Sequence, residues 1–260
     1  MLIVIPPSET KRPPLDAGEP VAPDRLSFPA LTQTREQVLD ALIATSASPD
    51  AFRRLQVGPS MAEEVARNTF LRELPARPVL EIYSGPLHAG LDAATLSPAA
   101  TKRAAECVVV ASALWGLLRP VDEIPPYRLH ICARLVGMDR LESTWRGVIP
   151  EVLAEAAQGA SPGVFLDLRS PGYQDIGLPD GMAERTVTLR VRRDAPGGRR
   201  IGDVIAKRVR GEAAHHLLES GRDPVEPESL AEIIAERWPV QLAGPARPGK
   251  PWTLTLLSTD

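Results

Sequence analysis

Apolar residues in this chain come in short dense runs set between stretches of helical period. Leu2-Ile-Val-Ile5 is too short and too β-branched for a helix and reads as a buried strand, ended by Pro6-Pro7. Val79-Leu-Glu-Ile-Tyr83, Val108 to Leu114, Val164-Phe-Leu-Asp-Leu168 and Trp252 to Leu257 read the same way. Thr186 to Arg193 alternates instead. Val187, Leu189 and Val191 point one way and Thr188, Arg190 and Arg192 the other, so the strand has a basic outer face. Pro196-Gly-Gly198 is expected to turn it back, with a return starting at Arg199 to Gly202.

Between these runs lie helical patterns. One starts near Thr32 or Thr34 and ends at Ser46 to Pro49, with Val38, Leu39, Leu42 and Ile43 on one face. Ser60 with Glu63 suggests a capping box for a helix to about Leu71, and Ser97-Pro98 starts one to about Glu106. Trp145 to Gln158 reads as helix with Pro150 in its first turn or at a kink. Asp203 can cap a helix of about sixteen residues. Residues 12–30 and 243–251 are rich in Pro and Gly and read as loops. The expected fold is α/β: one mixed-sheet domain, residues 1–260, with flanking helices.

Four apolar runs end in small, kinked, polar clusters: Pro6 to Lys11, Ser84 to His88, Trp115 to Arg128, and Ser170 to Tyr173. If those strands are mostly parallel, the clusters gather at their carboxyl ends, where open α/β sheets bind ligands. Trp115 to Leu129 carries the most chemistry, with Arg119, Asp122, Glu123, Tyr127 and Arg128 stiffened by Pro120, Pro125 and Pro126. A rigid turn in which Arg119 pairs with Asp122 and Tyr127 only packs is the alternative. On the helix from Asp203, Lys207, Arg210, Gly211 and Ala214 share a flank. Two long cations beside two very small residues would let an anion such as phosphate come close.

Composition narrows the setting. The 27 prolines of 260 residues are about twice the usual share of roughly 5 %. Cys107 and Cys132 form no zinc-like or disulfide-scaffold pattern, so neither a metal nor a cofactor is expected. The apolar start lacks the charge pattern of a signal peptide, and no apolar run is long enough to span a membrane. A cytoplasmic location follows by elimination, and a monomer is expected. Net charge is −3, yet Arg185 to Arg210 holds nine cations against Asp194 and Asp203. That is a basic strip on an acidic body, either an anion-binding face or a solvated one. No hydrolytic set is convincing, and no Walker loop or Gly-x-Gly-x-x-Gly is present.

Trp115-Gly-Leu-Leu-Arg-Pro-Val-Asp122 with Pro126-Tyr-Arg-Leu129 resembles the signature of the YaaA family of bacterial peroxide-stress proteins. Met1 to Ser8, Tyr83-Ser-Gly-Pro-Leu-His-Ala-Gly-Leu91 and Ala206-Lys-Arg-Val-Arg-Gly211 resemble its other signatures, in order over nearly the whole chain. The resemblance implies an unusual single α/β fold with a basic cleft and a helix-hairpin-helix element. It also implies binding to double-stranded, preferably distorted, DNA and a role in limiting damage from free iron. Carried over by residue, the cleft takes Tyr83, Gly85, His88, Gly90, Trp115, Gly116, Arg119, Pro120, Asp122, Tyr127, Arg128, Lys207, Arg208, Arg210 and Gly211, and the strand-end clusters add Ser8, Ser170 and Tyr173. The DNA or anion contacts fall to Arg119, Arg128, Lys207, Arg208 and Arg210 of these, and to Arg190 and Arg192 of the basic strip.

Two departures stand out. In the hairpin, Ser220 to Val225, Gly221 stands alone and Asp223 adds a negative charge where backbone amides would meet a phosphate. The opening reads Pro7-Ser8-Glu9-Thr10-Lys11 rather than Ser-Pro-Ala/Ser-Lys, which displaces or removes the lysine of that motif. The rival reading is an enzyme acting on a nucleotide or other anionic small molecule at the strand ends. Direct iron binding finds no ligand set of familiar spacing.

Overall fold

The computed structural model describes residues 1–159, 163–193 and 201–258. Its strands are β1 (Leu2–Ile5), β2 (Arg77–Pro78), β3 (Val108–Ser112), β4 (Gly116–Leu118), β5 (Glu123–Ile124), β6 (Phe165–Asp167), β7 (Thr186–Arg193), β8 (Val240–Ala243) and β9 (Trp252–Ser258). The helices of the first half are α1 (Thr32–Ser46), α2 (Ala51–Leu55), α3 (Ala62–Arg67), α4 (Val79–Ile82), α5 (Pro86–Leu91) and α6 (Pro98–Cys107). Those of the second half are α7 (Leu141–Arg146), α8 (Ile149–Gly159), α9 (Pro171–Gln174), α10 (Asp203–Glu219) and α11 (Pro227–Ala235).

Seven strands form one mixed sheet in the order β4-β3-β1-β6-β7-β9-β8. The five inner strands run parallel, and β4 and β8 close the edges antiparallel. All four residues of β1 and all five of β3 are buried, as expected of parallel strands covered on both faces. From β1 the chain goes first to β3 and β4 on one side, then to β6, β7 and β9 on the other. That reversal makes the carboxyl ends of β1 and β6 a topological switch point.

Several elements follow the sequence closely. The Ser97 hydroxyl accepts from the Ala100 amide and caps α6. Pro150 sits in the first turn of α8, and Thr186 to Arg193 is one strand with alternating burial. Others differ. Val79 to Tyr83 is not a strand. The ladder of β2 and β5 ends at Pro78, and the next turn is helical because Val79 and Ile82, three residues apart, both enter the core. Pro59–Met61 is a 3-10 turn leading into α3, so Ser60 caps nothing. Asp203 lies inside α10, pairing with Lys207 at 2.6 Å rather than capping. Among the described residues β7 is parallel to both its neighbours, and no antiparallel strand returns along it. The turn expected at Pro196 to Gly198 lies outside the described residues.

α10 and α11 are joined by a turn in which Gly221 has φ +68. The Val164 amide donates to the Pro224 carbonyl at 3.0 Å, holding the turn at the amino end of β6. It therefore lies at the opposite end of the sheet from the switch point.

Candidate functional site at the strand ends

The loop leaving β1 is pinned before it reaches any ligand. Arg12 N donates to Ile82 O and Ser84 N to Thr10 O, at 2.9 and 3.1 Å, so residues 10–12 lie antiparallel to residues 82–84. This sets Lys11 beside Tyr83. Gly85 lets the two segments close: a Cβ there would lie 2.2 Å from Ser8 Oγ. Ser8 Oγ itself accepts from the Thr10 amide at 3.2 Å.

Three phenols from three segments meet at this point. Tyr83 Oη is 2.9 Å from Tyr127 Oη, which is 2.8 Å from Ser112 Oγ at the end of β3. The Trp115 amide donates to Ser112 Oγ at 3.0 Å. All four side chains are buried. Burial pushes the Tyr83 and Tyr127 phenols up, so they stay neutral hydroxyls. Tyr173, from α9, is likewise pushed up by burial and then by Glu9 and Tyr83. Its hydroxyl makes no hydrogen bond of ordinary geometry, although the Ala113 backbone lies close enough to act on its ionisation.

Lys11 lies across this group. Its Nζ is 4.2 Å from the centre of the Tyr127 ring and 5.5 Å from that of Tyr83, and it donates to Ser8 O at 2.8 Å. The residue as a whole is half-buried. Burial lowers its pKa to about 8, partly opposed by Glu9. Arg128 lies next to it, donating to Glu9 O at 3.2 Å and facing Glu9 and Glu64 at 3.7 Å each. Asn68, wholly buried, grips the Arg128 backbone on both sides, at 2.8 Å to each group. His88 Nε2 donates to Pro6 O at 3.0 Å, which leaves Nδ1 as a buried acceptor without a partner among the described residues. Burial lowers His88 to about 4, so the ring is neutral.

A second feature adjoins through α9. Tyr173 of that helix enters the phenol group, while Pro171 and Gln174 wall a recess of about 840 Å3 over the polar face of β7 and β9. Arg190, Arg192, Arg210, Arg247 and Lys250 line it, and none of them forms an ion pair with a described residue. Arg169 also lines it but is neutralised by the buried Asp167 in a two-pronged pair at 2.9 and 3.0 Å. Burial lowers the pKa of Arg210.

The predicted residues therefore divide. Ser8, Tyr83, Gly85, His88, Tyr127, Arg128 and Tyr173 come together at the switch point, and the Ser170 carbonyl opens α9 by accepting from the Tyr173 and Gln174 amides. Arg190, Arg192 and Arg210 share the basic recess. Lys207 and Arg208 point elsewhere on α10, paired with Asp203 and Glu212. The space beside Gly211 is filled by α5, not by an anion: a Cβ on Gly211 would meet Leu87 O at 1.9 Å, and one on Gly90 would meet Arg208 O at 2.1 Å.

Trp115, Gly116, Arg119 and Asp122 run back along β4 and serve as scaffold. Trp115 is buried, and a Cβ on Gly116, at φ +71, would strike the Trp145 ring at 2.6 Å. Asp122 does not pair with the Arg119 guanidinium. Its carboxylate accepts from the amides of Ser27 and Arg119, while that guanidinium donates to Glu106 O and stacks on Phe28. Sequence reading missed Lys11 as a site residue, and it missed Asn68, Arg247 and Lys250. The displaced lysine of the opening motif was the one available signal for Lys11.

A family model described as peroxide stress protein YaaA matches residues 1–241. The chain belongs to that family. A UPF0246 protein of Streptomyces coelicolor is 40% identical to it over 99% of this chain and 98% of the relative. One from Corynebacterium efficiens is 37% identical over 90% and 91% of the two chains. One from Shewanella pealeana is 28% identical over 87% and 89%. Membership in the YaaA family supports a general role in peroxide stress.

Proposed function

We propose that this protein binds DNA through the sugar-phosphate backbone along the basic recess, as its contribution to the peroxide stress response. The observation that supports this is the convergence of Arg190, Arg192, Arg210, Arg247 and Lys250 on one recess without carboxylate partners among the described residues. Such cations gain by releasing counterions from a polyanion. Protection from free iron would follow from cover of the duplex. Among the described residues no three His, Cys, Asp or Glu side chains gather as a metal site. The reading goes with a cytoplasmic monomer; no helix among the described residues is long and apolar enough to cross a membrane. The pair α10 and α11 would be the family's helix-hairpin-helix. Its turn has one glycine, carries Asp223 and lies at the far end of the sheet, so we assign the DNA contact to the recess.

The test is fluorescence anisotropy of straight and bulged duplexes across a salt series. Affinity should fall with salt, and the Arg190→Glu and Arg192→Glu double variant should bind at least tenfold more weakly with a shallower slope. No binding at low salt, or a double variant equal to wild type, would refute the reading. The recess volume of about 840 Å3 also suits a nucleotide-sized ligand, which supports a second reading, an enzyme on an anionic small molecule. Saturable mononucleotide binding, at salt that abolishes duplex binding, would favour it.

A further inference from the structure

We infer that Lys11 is an amine nucleophile that forms an imine with an aldehyde carried on a phosphate ester, with Arg128 holding the phosphate. Lys11 Nζ has no carboxylate partner among the described residues. It donates to Ser8 O and, more weakly at 3.5 Å, to Glu9 O, while its charge faces the Tyr127 ring. The nearby carboxylates of Glu9 and Glu64 face Arg128 instead, at 3.7 Å, too long for tight pairing. Arg128 Nε is buried with no hydrogen-bond acceptor among the described residues. The two cations share the Glu9 carbonyl, so an incoming anion that displaces the two long contacts would sit next to the amine. Burial that brings Lys11 to about 8 leaves a useful neutral fraction near pH 7.

Proton handling is available in place. Tyr83, Tyr127 and Ser112 are three hydroxyls joined by two hydrogen bonds. Whichever way those bonds run, one hydroxyl proton is left over for a group outside the chain. In the reaction the Lys11 lone pair adds to the carbonyl carbon and the carbonyl oxygen takes up a proton. Nitrogen gives up its extra protons, the carbinolamine C–O bond breaks, and one water leaves. The balance is amine plus aldehyde to imine plus water, with no change of oxidation state. Such a site would capture aldehyde phosphates produced by cleavage or oxidation of sugar phosphates. The inference goes beyond DNA binding and does not depend on the basic recess.

The experiment incubates the full chain with sodium cyanoborohydride and one of three probes: glycolaldehyde phosphate, glycolaldehyde, or a duplex with a single abasic aldehyde. Intact mass and peptide mapping follow. Lys102, Lys207 and Lys250 are the internal controls. Lys11 should be reduced to a single adduct at least tenfold faster than any control, and faster with the phosphate than without it. Lys11→Arg should abolish that adduct, and Arg128→Met should slow it about tenfold at unchanged fold by circular dichroism. Capture of glycolaldehyde phosphate and not of the duplex would identify a small metabolite as the source, and capture of the duplex alone would identify DNA; either supports the proposal. Labelling of Lys11 no faster than of the other lysines overturns it, and that comparison needs no variant. Failure of duplex binding in the anisotropy assay, with Lys11 still captured by the small aldehyde, would refute the recess reading and leave this one standing.

Discussion

Gly211 on α10 and Leu87 on α5 meet backbone to backbone, so that a methyl group on Gly211 would lie 1.9 Å from the Leu87 carbonyl oxygen and 2.6 Å from the Leu91 amide. Gly90 faces the same crossing from the other side. Main-chain atoms cannot rotate away as side chains can. Gly211→Ala should therefore lower stability by about 3 kcal/mol, the upper end of the usual overpacking cost. Urea denaturation reads this directly. An unchanged midpoint would mean that the two helices separate without cost and do not fix the position of His88.

Arg35 is wholly buried yet appears in no sequence motif. Its Nε donates to Trp115 O at 2.9 Å, and its Nη2 to Leu117 O and Ser27 O at 2.7 and 2.6 Å. It thus holds the β3–β4 turn that delivers Ser112 and Trp115. Burial lowers its pKa to about 10, which still leaves it charged at neutral pH. Arg35→Met should strand three carbonyls and cost on the order of 3 kcal/mol or more. Arg35→Lys should recover little of this, because one ammonium cannot span the fork. A lysine variant with wild-type thermal stability would show that charge alone suffices.

The parallel strands were legible because burial on both faces leaves an unbroken β-branched run, as in Leu2 to Ile5 and Val108 to Val110. Val79 to Ile82 misled because four apolar-rich residues suit one helical turn as well as a strand, and only the neighbouring ladder decides. The gathering of Ser8, Tyr127 and Tyr173 was foreseeable from strand ends and sheet direction, while Tyr83 joins it from the end of a helical turn. The role of Trp115, Gly116 and Asp122 was not, since a rigid polar-aromatic segment looks alike whether it binds a ligand or receives Arg35. Arg247 and Lys250 were hidden because a Pro/Gly loop carries no periodicity to show which way its cations face.

The division of the basic residues makes a sharper prediction than net charge does. Lys207 and Arg208 are paired with Asp203 and Glu212 at 2.6 and 3.1 Å, in exposed helical pairs of small energy. Arg190 and Arg192 have no such partner among the described residues. Lys207→Gln and Arg208→Gln should change duplex affinity by less than about twofold. Arg190→Gln and Arg192→Gln should each weaken it severalfold and reduce the salt slope by about one counterion. If the α10 pair proved the more sensitive, the DNA would lie along that helix instead of in the recess.

His88 gives the protein a specific acid sensitivity. Folded, burial holds its pKa to about 4; unfolded, it returns to the ordinary 6.5. Between those values the unfolded chain binds a proton that the folded one refuses, so protonation favours unfolding. The contribution to stability is complete above pH 6.5 and falls as pH drops towards 4, by about 1.4 kcal/mol per unit and about 3 kcal/mol in all. His88→Gln can keep a donor towards Pro6 O but has no proton to take up. Stability measured by urea at several pH values should fall less steeply in the variant than in wild type across this window, whereas carboxylates elsewhere affect both alike. Parallel profiles would show that the imidazole accepts its second proton inside the fold, with Nδ1 finding an acceptor beside Tyr83.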